Sequence, residues 1–224
     1  MPEQTQGNRP SEPVVPDPRG VPTKCVACHK DLHSPVVCDY CHTLNPINGP
    51  TDYFQLLGVE RRYQQDENEL RTKYLALNRH SHPDFHTGDS EAVRELSMQI
   101  SSALNNAYRT LQEPVGRAEY LVELLGGRSS AQEKSVPEGF LDEVLALREE
   151  VESAELEDDA PKLASLRKAL THRLAVMTEG LGELFSEFDG TVPCEATRMD
   201  TLGRIRRQLN AISYVRRLLS QMKK

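Results

Sequence analysis

The sequence predicts an all-α protein that carries a small cysteine-rich segment near its start. Three observations favour this class. Long stretches repeat apolar residues at intervals of three and four, which places those residues on one face of a helix. No stretch of consequence alternates apolar and polar residues as a half-buried strand does. Four of the five cysteines fall within residues 25–42.

Length, charge and hydropathy limit the classes of function that the chain can have. The 224 residues are enough for one or two compact domains with their own cores. Lys and Arg number 27 against 34 Asp and Glu, so the net charge is -7. An acidic chain is a poor nucleic-acid binder because phosphate must be neutralised by clustered positive charge. No apolar run reaches the ~20 residues that cross a bilayer. We therefore expect neither nucleic acid nor membrane as a partner.

The first 24 residues predict a disordered arm. They contain six prolines and no apolar stretch of the kind a secretory signal has. Their acidic residues argue against a basic, amphipathic transit peptide. We therefore expect the chain to stay in a reducing cytoplasm, where stable disulfides are rare.

Residues 25–42, CVACHKDLHSPVVCDYCH, admit several kinds of site. Two C-x-x-C-H motifs can attach haem, but covalent haem needs export and a second axial ligand. Two C-x2-C pairs also supply four soft ligands for tetrahedral zinc, from Cys25, Cys28, Cys38 and Cys41. Because so short a segment lacks a core, metal binding would supply its folding energy. A Cys3His site using His29, His33 or His42, and a redox role for the cysteine pairs, remain open alternatives.

Four helices are predicted after a turn-rich linker at residues 43–52. Residues 53–59 form a short apolar helix that ends at Gly58. The next helix begins with a capping-box-like pair, Asp66 and Glu69, and ends at Pro83. Ser90 caps a helix of about five turns that Pro114 stops. Residues 117–127 form a fourth helix, ended by two glycines. The predicted buried positions of the second and third helices are Leu70, Tyr74, Leu77, Val93, Leu96, Ile100, Leu104, Ala107 and Leu111.

Three longer helices are predicted after a polar linker at residues 128–137. They run from about 138 to 156, from Pro161 to about 188, and from about 196 to 222. Their apolar residues recur at threes and fours over many turns, as in helices that bury a common seam. The sequence therefore predicts a three-helix bundle at residues 138–222.

The tripeptide His82-Pro83-Asp84 lies between two amphipathic helices. Alone it indicates only a loop, because proline ends one helix and aspartate can cap the next. Its context is more specific: a Tyr-Phe-x-x-Leu-Gly helix precedes it, and a long helix with Asn105 and Tyr108 comes after it. This arrangement resembles the J-domain, the module by which DnaJ-type co-chaperones stimulate the ATPase of DnaK-type chaperones.

The order of further segments is similar to HscB, the J-domain co-chaperone of iron–sulfur cluster assembly. The segments DYFQLLGV, HPDFHTG, LNNAYRTLQEPVGRAEYLVELLG and FLDEVLALREEVESAE stand in the same order as in HscB chains. The resemblance covers residues 52–222. It implies a J-domain helical hairpin at 52–127, the bundle at 138–222 as a client-binding domain, and at 25–42 a zinc knuckle like that of animal-type members.

The resemblance also implies a function. The HPD loop would promote ATP hydrolysis by a DnaK-type (HscA-like) chaperone, and the bundle would hold the scaffold protein on which the cluster is assembled. The implied chaperone-binding residues are His82, Pro83, Asp84, Arg71, Lys73 and Arg79. The implied client-binding residues are Leu141, Leu145 and Glu149, although a role in the core explains the two leucines equally well. A bacterial member would be cytoplasmic, and a eukaryotic one would reside in the mitochondrial matrix.

The sequence predicts a binding protein and not an enzyme. It lacks the G-x-x-x-x-G-K-[ST] loop of many nucleotide-binding sites. Cys194 has no histidine nearby in sequence, and we expect a buried or half-buried structural thiol. One departure from the family falls near Asn210 and Ala211, where the resemblance implies an Arg-Phe or Arg-Tyr pair for client contact. A general J-domain co-chaperone with another client, and a haem electron-transfer protein, are the alternative functions.

Overall fold

The computed structural model describes residues 24–47, 52–190 and 194–222. Within these ranges there are seven α-helices, one 3-10 helix and isolated β-bridges but no longer strand, which confirms the all-α prediction. The predicted disordered arm lies outside the described residues, apart from Lys24. The α-helices are α1 Tyr53–Leu57, α2 Glu67–Ser81, α3 Glu91–Gln112, α4 Pro114–Leu124, α5 Phe140–Leu156, α6 Ala160–Gly190 and α7 Glu195–Gln221. No helix in the described part of the chain is long and apolar enough to cross a membrane.

The chain divides into two compact units. The first contains the described residues up to Glu60 together with Arg71–Ala107. The second contains Arg61–Leu70 and the described residues from Tyr108 onwards. The domain boundaries inferred from the sequence stay predictions.

Helix α1 is short because both of its ends are closed by specific residues. The Asp52 carboxylate accepts a hydrogen bond from the Phe54 N–H at 2.9 Å, which caps the first turn. At the other end Gly58 takes a left-handed conformation with φ 65°. A side chain at Gly58 would begin 3.2 Å from the His33 carbonyl oxygen, so glycine also allows the cysteine-rich segment to approach α1.

Helices α2 and α3 bury the faces that the apolar spacing predicts. Asp66 caps α2 as expected, because its carboxylate accepts hydrogen bonds from the N–H groups of Asn68 and Glu69. In the first unit, the Tyr74 hydroxyl contacts the Asn105 side-chain oxygen at 2.6 Å and joins the two helices. Ile100, Leu104, Ala107 and Leu111 are fully buried, whereas Tyr74, Val93 and Leu96 are half-buried.

Helix α4 begins earlier than the sequence predicts. Pro114 does not simply stop α3: it is the first residue of α4, and α3 already ends at Gln112. Proline suits the first helical position because it needs no N–H partner and its φ is already helical. Glu113 caps the new helix by accepting a hydrogen bond from the Gly116 N–H at 2.5 Å.

The long helices α5, α6 and α7 pack around one apolar core in the second unit. Its buried members are Phe140, Val151, Leu170, Ala211, Val215, Leu218 and Met222. Cys194 is exposed, contrary to the prediction of a buried or half-buried thiol. It precedes the first turn of α7, and its sulfur lies 3.5 Å from the Thr197 hydroxyl oxygen instead of entering the core.

Glu113 joins the α4 cap to α7. Its second carboxylate oxygen accepts a hydrogen bond from Arg216 at 2.6 Å. Burial raises the pKa of the Glu113 carboxyl, but the bonds from Arg216 and Gly116 outweigh it and hold the pKa below its ordinary value. A depressed native pKa stabilises the fold above the unfolded-state pKa, and this contribution is lost as pH falls through the native pKa.

We therefore expect Glu113→Ala to lower the free energy of unfolding by about 1 kcal/mol at neutral pH, as loss of a helix cap does. The difference from wild type should shrink once the pH falls below the native pKa of Glu113. Urea unfolding of both proteins at neutral pH and at a pH below the native pKa of Glu113 measures this difference in the free energy of unfolding. Glu123→Ala, at an exposed position of α4, is the control. An equal loss in the control, or a loss independent of pH, would contradict this role.

Candidate metal centre, HPD loop and bundle groove

The four cysteines of residues 25–42 converge on one point. The sulfurs of Cys25 and Cys41 lie 3.5 Å apart, as do those of Cys28 and Cys38. All four sulfurs lie within 4.8 Å of one another, and all four thiols are free. In a tetrahedral site with Zn–S bonds of about 2.3 Å, sulfurs are roughly 3.8 Å apart. The donor set and its spacing therefore fit a tetrathiolate metal site.

The two C-x-x-C segments repeat the same backbone turn. Cys25 and Cys38 each accept, through their sulfur, a hydrogen bond of 3.4 Å from the N–H group two residues later. The N–H groups of His29 and His42 donate to the carbonyls of those same cysteines at 3.0 and 2.9 Å. Both histidines have φ 58°, so each turn closes through a left-handed residue. Identical turns present the two cysteine pairs to a common centre.

The structure distinguishes cysteine from histidine as the converging ligands of this segment. Among the described His, Cys, Asp and Glu side chains here, the group that converges consists of the four cysteines alone. His33 instead contacts Asp39 at 3.0 Å. The His42 ring stacks on His80 of α2, with ring centroids 4.0 Å apart. Convergence of both pairs on one point is the arrangement of a metal knuckle, whereas haem attachment would use each pair separately.

The free thiols differ sharply in acidity. Hydrogen bonds from the side chain and backbone of Thr43 lower the pKa of Cys41 to about 6. The Lys30 N–H lowers the pKa of Cys28, but desolvation and hydrogen bonding among the thiols outweigh it and raise the pKa to about 12. Cys41 therefore ionises before Cys28. A bound cation would have to displace the Cys28 proton, because metals bind thiolates.

The segment also packs against the helix next along the chain. Val36 and Val37 are buried, and the Ser34 hydroxyl donates to the Leu56 carbonyl of α1 at 2.9 Å. Asn45 closes the segment by accepting a hydrogen bond from the Val26 N–H at 2.9 Å. The segment therefore has buried apolar side chains and a hydrogen bond to α1, which the expectation of a coreless knuckle did not include.

The HPD loop exposes chemically different groups side by side. A 3-10 helix, Pro83–His86, begins directly after His82, whose Nδ1 accepts a hydrogen bond from the Asp84 N–H at 3.3 Å. Asp84 is exposed, and its carboxylate lies 3.6 Å from the same nitrogen. The Phe85 ring is 69% exposed and lies edge-on to His82. The loop therefore presents an imidazole, a carboxylate and a phenyl ring to solvent.

His86 holds the loop through contacts of both ring nitrogens. Its Nε2 lies 2.9 Å from the His80 carbonyl oxygen, and its Nδ1 lies 2.7 Å from an Asp89 carboxylate oxygen. Burial lowers the pKa of His86, but these two acceptors outweigh it and raise the pKa above its ordinary value. Two acceptors favour the imidazolium, which donates from both ring nitrogens.

The three basic residues of α2 do not share one face. Eight residues separate Arg71 from Arg79, a rotation of about 80°, whereas Lys73 lies about 200° from Arg71. Arg71 and Arg79 are exposed. Lys73 is half-buried, and its ammonium donates to the Gly58 carbonyl at 2.5 Å.

The bundle has an apolar groove on its surface. Leu141 and Leu145 are 49% and 56% exposed, so neither is a core residue. They line a cavity of about 350 Å³ between α5 and α7. Glu149 is exposed one turn further along α5. The other residues that line the cavity are Val144, Arg148, Tyr214, Arg217, Leu218 and Gln221.

Sequence reasoning missed the α7 side of this groove. Asn210 and Ala211, near which the resemblance implied a client-contacting pair, are both buried. Asn210 instead donates to the carbonyls of Glu133 and Ser135, at 3.0 and 2.8 Å. Tyr214, about one turn further along α7, is 41% exposed and lines the groove. Tyr214 lies outside the apolar stripe of α7, and this position was the sequence signal that could have identified it as a surface residue.

Two family models match most of the described chain. Residues 52–120 match the DnaJ domain, and residues 136–223 match the HSCB C-terminal oligomerisation domain. The iron-sulfur cluster co-chaperone protein HscB homolog of Arabidopsis thaliana is 30% identical over 159 residues, covering 70% of this chain and 62% of that relative's length. The co-chaperone protein HscB of Proteus mirabilis is 35% identical over 136 residues, covering 58% of this chain and 79% of the relative.

Two solved structures are similar in fold. The crystal structure of human co-chaperone protein HscB has a TM-score of 0.71 at 22% identity, covering 89% of this chain and 96% of that one. The chaperone HscB from Vibrio cholerae has a TM-score of 0.56 at 26% identity, covering 77% of this chain and 100% of that one.

The metal site makes a direct prediction. Wild type should bind about one zinc ion, and Cys28→Ser should bind almost none, because one thiolate of four is lost. Metal analysis of protein purified without chelators measures this, and acidification should release the metal as protons compete for the thiolates. Hydrogen exchange should increase across residues 25–42 in the variant, whereas helix content should change little because the helices have their own cores.

The matched control is Cys194→Ser, since Cys194 is exposed and lies outside the converging group. It should retain zinc at the wild-type level. Zinc retained by Cys28→Ser, or lost equally from both variants, would contradict the assignment of ligands.

Proposed function

The chain belongs to the HscB family, and from that premise we propose that it delivers an iron–sulfur cluster scaffold protein to a DnaK-type chaperone and stimulates the chaperone's ATPase. One observation carries the proposal: the chain exposes an HPD loop in one unit and an apolar groove in the other. Two binding surfaces of different chemistry are what a protein needs to bring two partners together. Neither surface needs a catalytic residue, which fits a co-chaperone and not an enzyme.

The HPD loop supplies the surface for the chaperone. Asp84 offers an exposed carboxylate, and His82 offers a ring nitrogen beside it. Arg71 and Arg79 add positive charge on one side of α2, which suits an acidic groove on the partner. Lys73 has its ammonium at the Gly58 carbonyl, so we assign it a smaller share of the contact.

The bundle groove supplies the surface for the client. Leu141 and Leu145 expose apolar area that a monomer would otherwise bury, and such patches mark protein interfaces. Tyr214 adds an aromatic anchor, a residue type enriched at interface hot spots. Arg148 and Arg217 flank the groove, and Glu149 extends the polar rim. The client segment should therefore combine apolar side chains with charged residues at its edges.

We assign zinc to the four cysteines, since tetrahedral sulfur ligands are typical of structural zinc. The metal would hold Cys25, Cys28, Cys38 and Cys41 together and complete the surface that packs on α1. Reduced thiols fit a cytoplasmic location in a bacterium, or the mitochondrial matrix in a eukaryote.

The HPD loop predicts a loss of function without loss of fold. His82→Gln should abolish stimulation of the partner ATPase, because the imidazole is removed from the docking surface. Helix content should stay unchanged, since a half-buried loop residue contributes little packing. His172→Gln, at an exposed position of α6, should stimulate like wild type. Full stimulation by His82→Gln at unchanged dose dependence would refute the docking role.

The groove predicts a selective loss of client binding. Replacing Leu141 and Leu145 together by alanine should weaken binding of the purified scaffold by roughly tenfold or more, as truncation of interface anchors does. ATPase stimulation without scaffold should persist. The control is a double replacement of Leu156 and Val176 by alanine, since both are exposed outside the groove. Equal scaffold binding by the two double variants would instead favour another client or another surface.

A further inference from the structure

A second cavity lies in the second unit, away from the groove. It has a volume of about 220 Å³ and lies between the start of α7 and the segment that follows α4. Three arginines line it: Arg128, Arg206 and Arg207. The proposed co-chaperone function assigns no role to any of them.

Arg206 is the unusual member of this group, because its side chain is only 1% exposed. Its Nε donates to the Arg128 carbonyl at 3.0 Å. Neither of its terminal nitrogens has a hydrogen-bond partner among the described residues. The Glu119 carboxylate lies 3.7 Å from Nη1, beyond hydrogen-bond distance. A buried guanidinium with unsatisfied N–H groups is costly and calls for an acceptor.

At the edge of the cavity the backbone of Gly127 packs tightly against Val122. A side chain at Gly127 would begin 2.6 Å from a Val122 methyl carbon and 2.9 Å from the Val122 carbonyl oxygen, so only glycine fits. The Gly127 N–H donates to that carbonyl at 2.8 Å. This packing holds the next carbonyl, that of Arg128, against Arg206.

The cavity lining has three arginines against two acidic residues. Glu133 also lines it, but its two carboxylate oxygens already contact the Ser135 N–H at 2.9 Å and Arg128 at 3.3 Å. Asp200 is the other acidic residue of the lining. Asp200 is thus the acidic residue of the lining that remains for Arg207, while Arg206 has Glu119 as an ion-pair partner outside the lining, at 3.7 Å.

We propose that this cavity binds one small oxyanion, a phosphate or a carboxylate group. Because both terminal nitrogens of Arg206 are buried, its guanidinium would turn towards the cavity on binding and donate to two oxygens of the anion, the forked geometry in which guanidinium binds such groups. Arg207 would add positive charge from the cavity wall. The volume lies below the ~300–1,000 Å³ typical of sites for drug-sized ligands, which favours a compact anion over a nucleotide. The proposal is independent of the co-chaperone function.

Titration of the full chain tests it. Sodium phosphate and sodium acetate would be added separately, each against sodium chloride at equal ionic strength. At least one anion should raise the unfolding temperature saturably, because a ligand that binds only the native state stabilises it. It should also shift the amide resonances of Gly127 and Gly203, which both line the cavity. The anion that binds more tightly identifies the group as phosphate or carboxylate.

Three variants locate the site. Arg207→Gln should weaken binding about fivefold, the loss expected from one nearby charge. Arg206→Gln should abolish saturable binding. Arg206 is buried, so this variant could fail to fold, and in that case the result for Arg207→Gln decides the test. Arg204→Gln is the control, an exposed arginine of α7 that pairs with Glu187. No saturable effect of either anion, or equal affinity in Arg207→Gln and Arg204→Gln, would overturn the proposal.

Discussion

Burial of one face of α3 is the constraint on which the HPD loop depends. Ile100 and Leu104 are inaccessible to solvent, so α3 is held firmly by its apolar side. The Ser97 hydroxyl, on the same helix, donates to the Ser81 carbonyl at 2.8 Å. Ser81 is the last residue of α2, so this bond positions the backbone one residue before the loop. The loop can then expose polar groups because the helices on both sides are buried elsewhere.

The cysteine segment belongs to the same unit but depends less on apolar packing than the helices do. Its apolar interior is small, so its shape depends on four thiols that meet at one point. Hydrogen bonds from Thr43 lower the pKa of Cys41, whereas at Cys28 the bond from the Lys30 N–H is outweighed by desolvation and the neighbouring thiols, which raise the pKa. A divalent ion would favour the thiolate form of all four cysteines. The hydrogen bond from Ser34 to α1 would then connect a bound metal to the helical hairpin.

Periodicity predicted the helices well because each has an apolar face, but it left Leu141 and Leu145 of α5 undecided between core and surface, and the fold exposes both. The failures have physical causes. The start of α4 depends on Pro114 serving as a first helical residue, a role that looks the same in sequence as a helix stop. Burial of Arg206 and exposure of Cys194 depend on tertiary packing, which spacing along the chain does not report. The choice among cysteine and histidine ligands likewise required the fold of both turns.

The most direct test is the steady-state ATPase rate of the partner DnaK-type chaperone, measured with this chain, with the scaffold protein, and with both. The chain alone should raise the rate. Chain and scaffold together should raise it by more than the sum of their separate effects, because one molecule presents the client while its HPD loop acts. A rate unchanged by the chain, or merely additive effects, would contradict the proposed co-chaperone function.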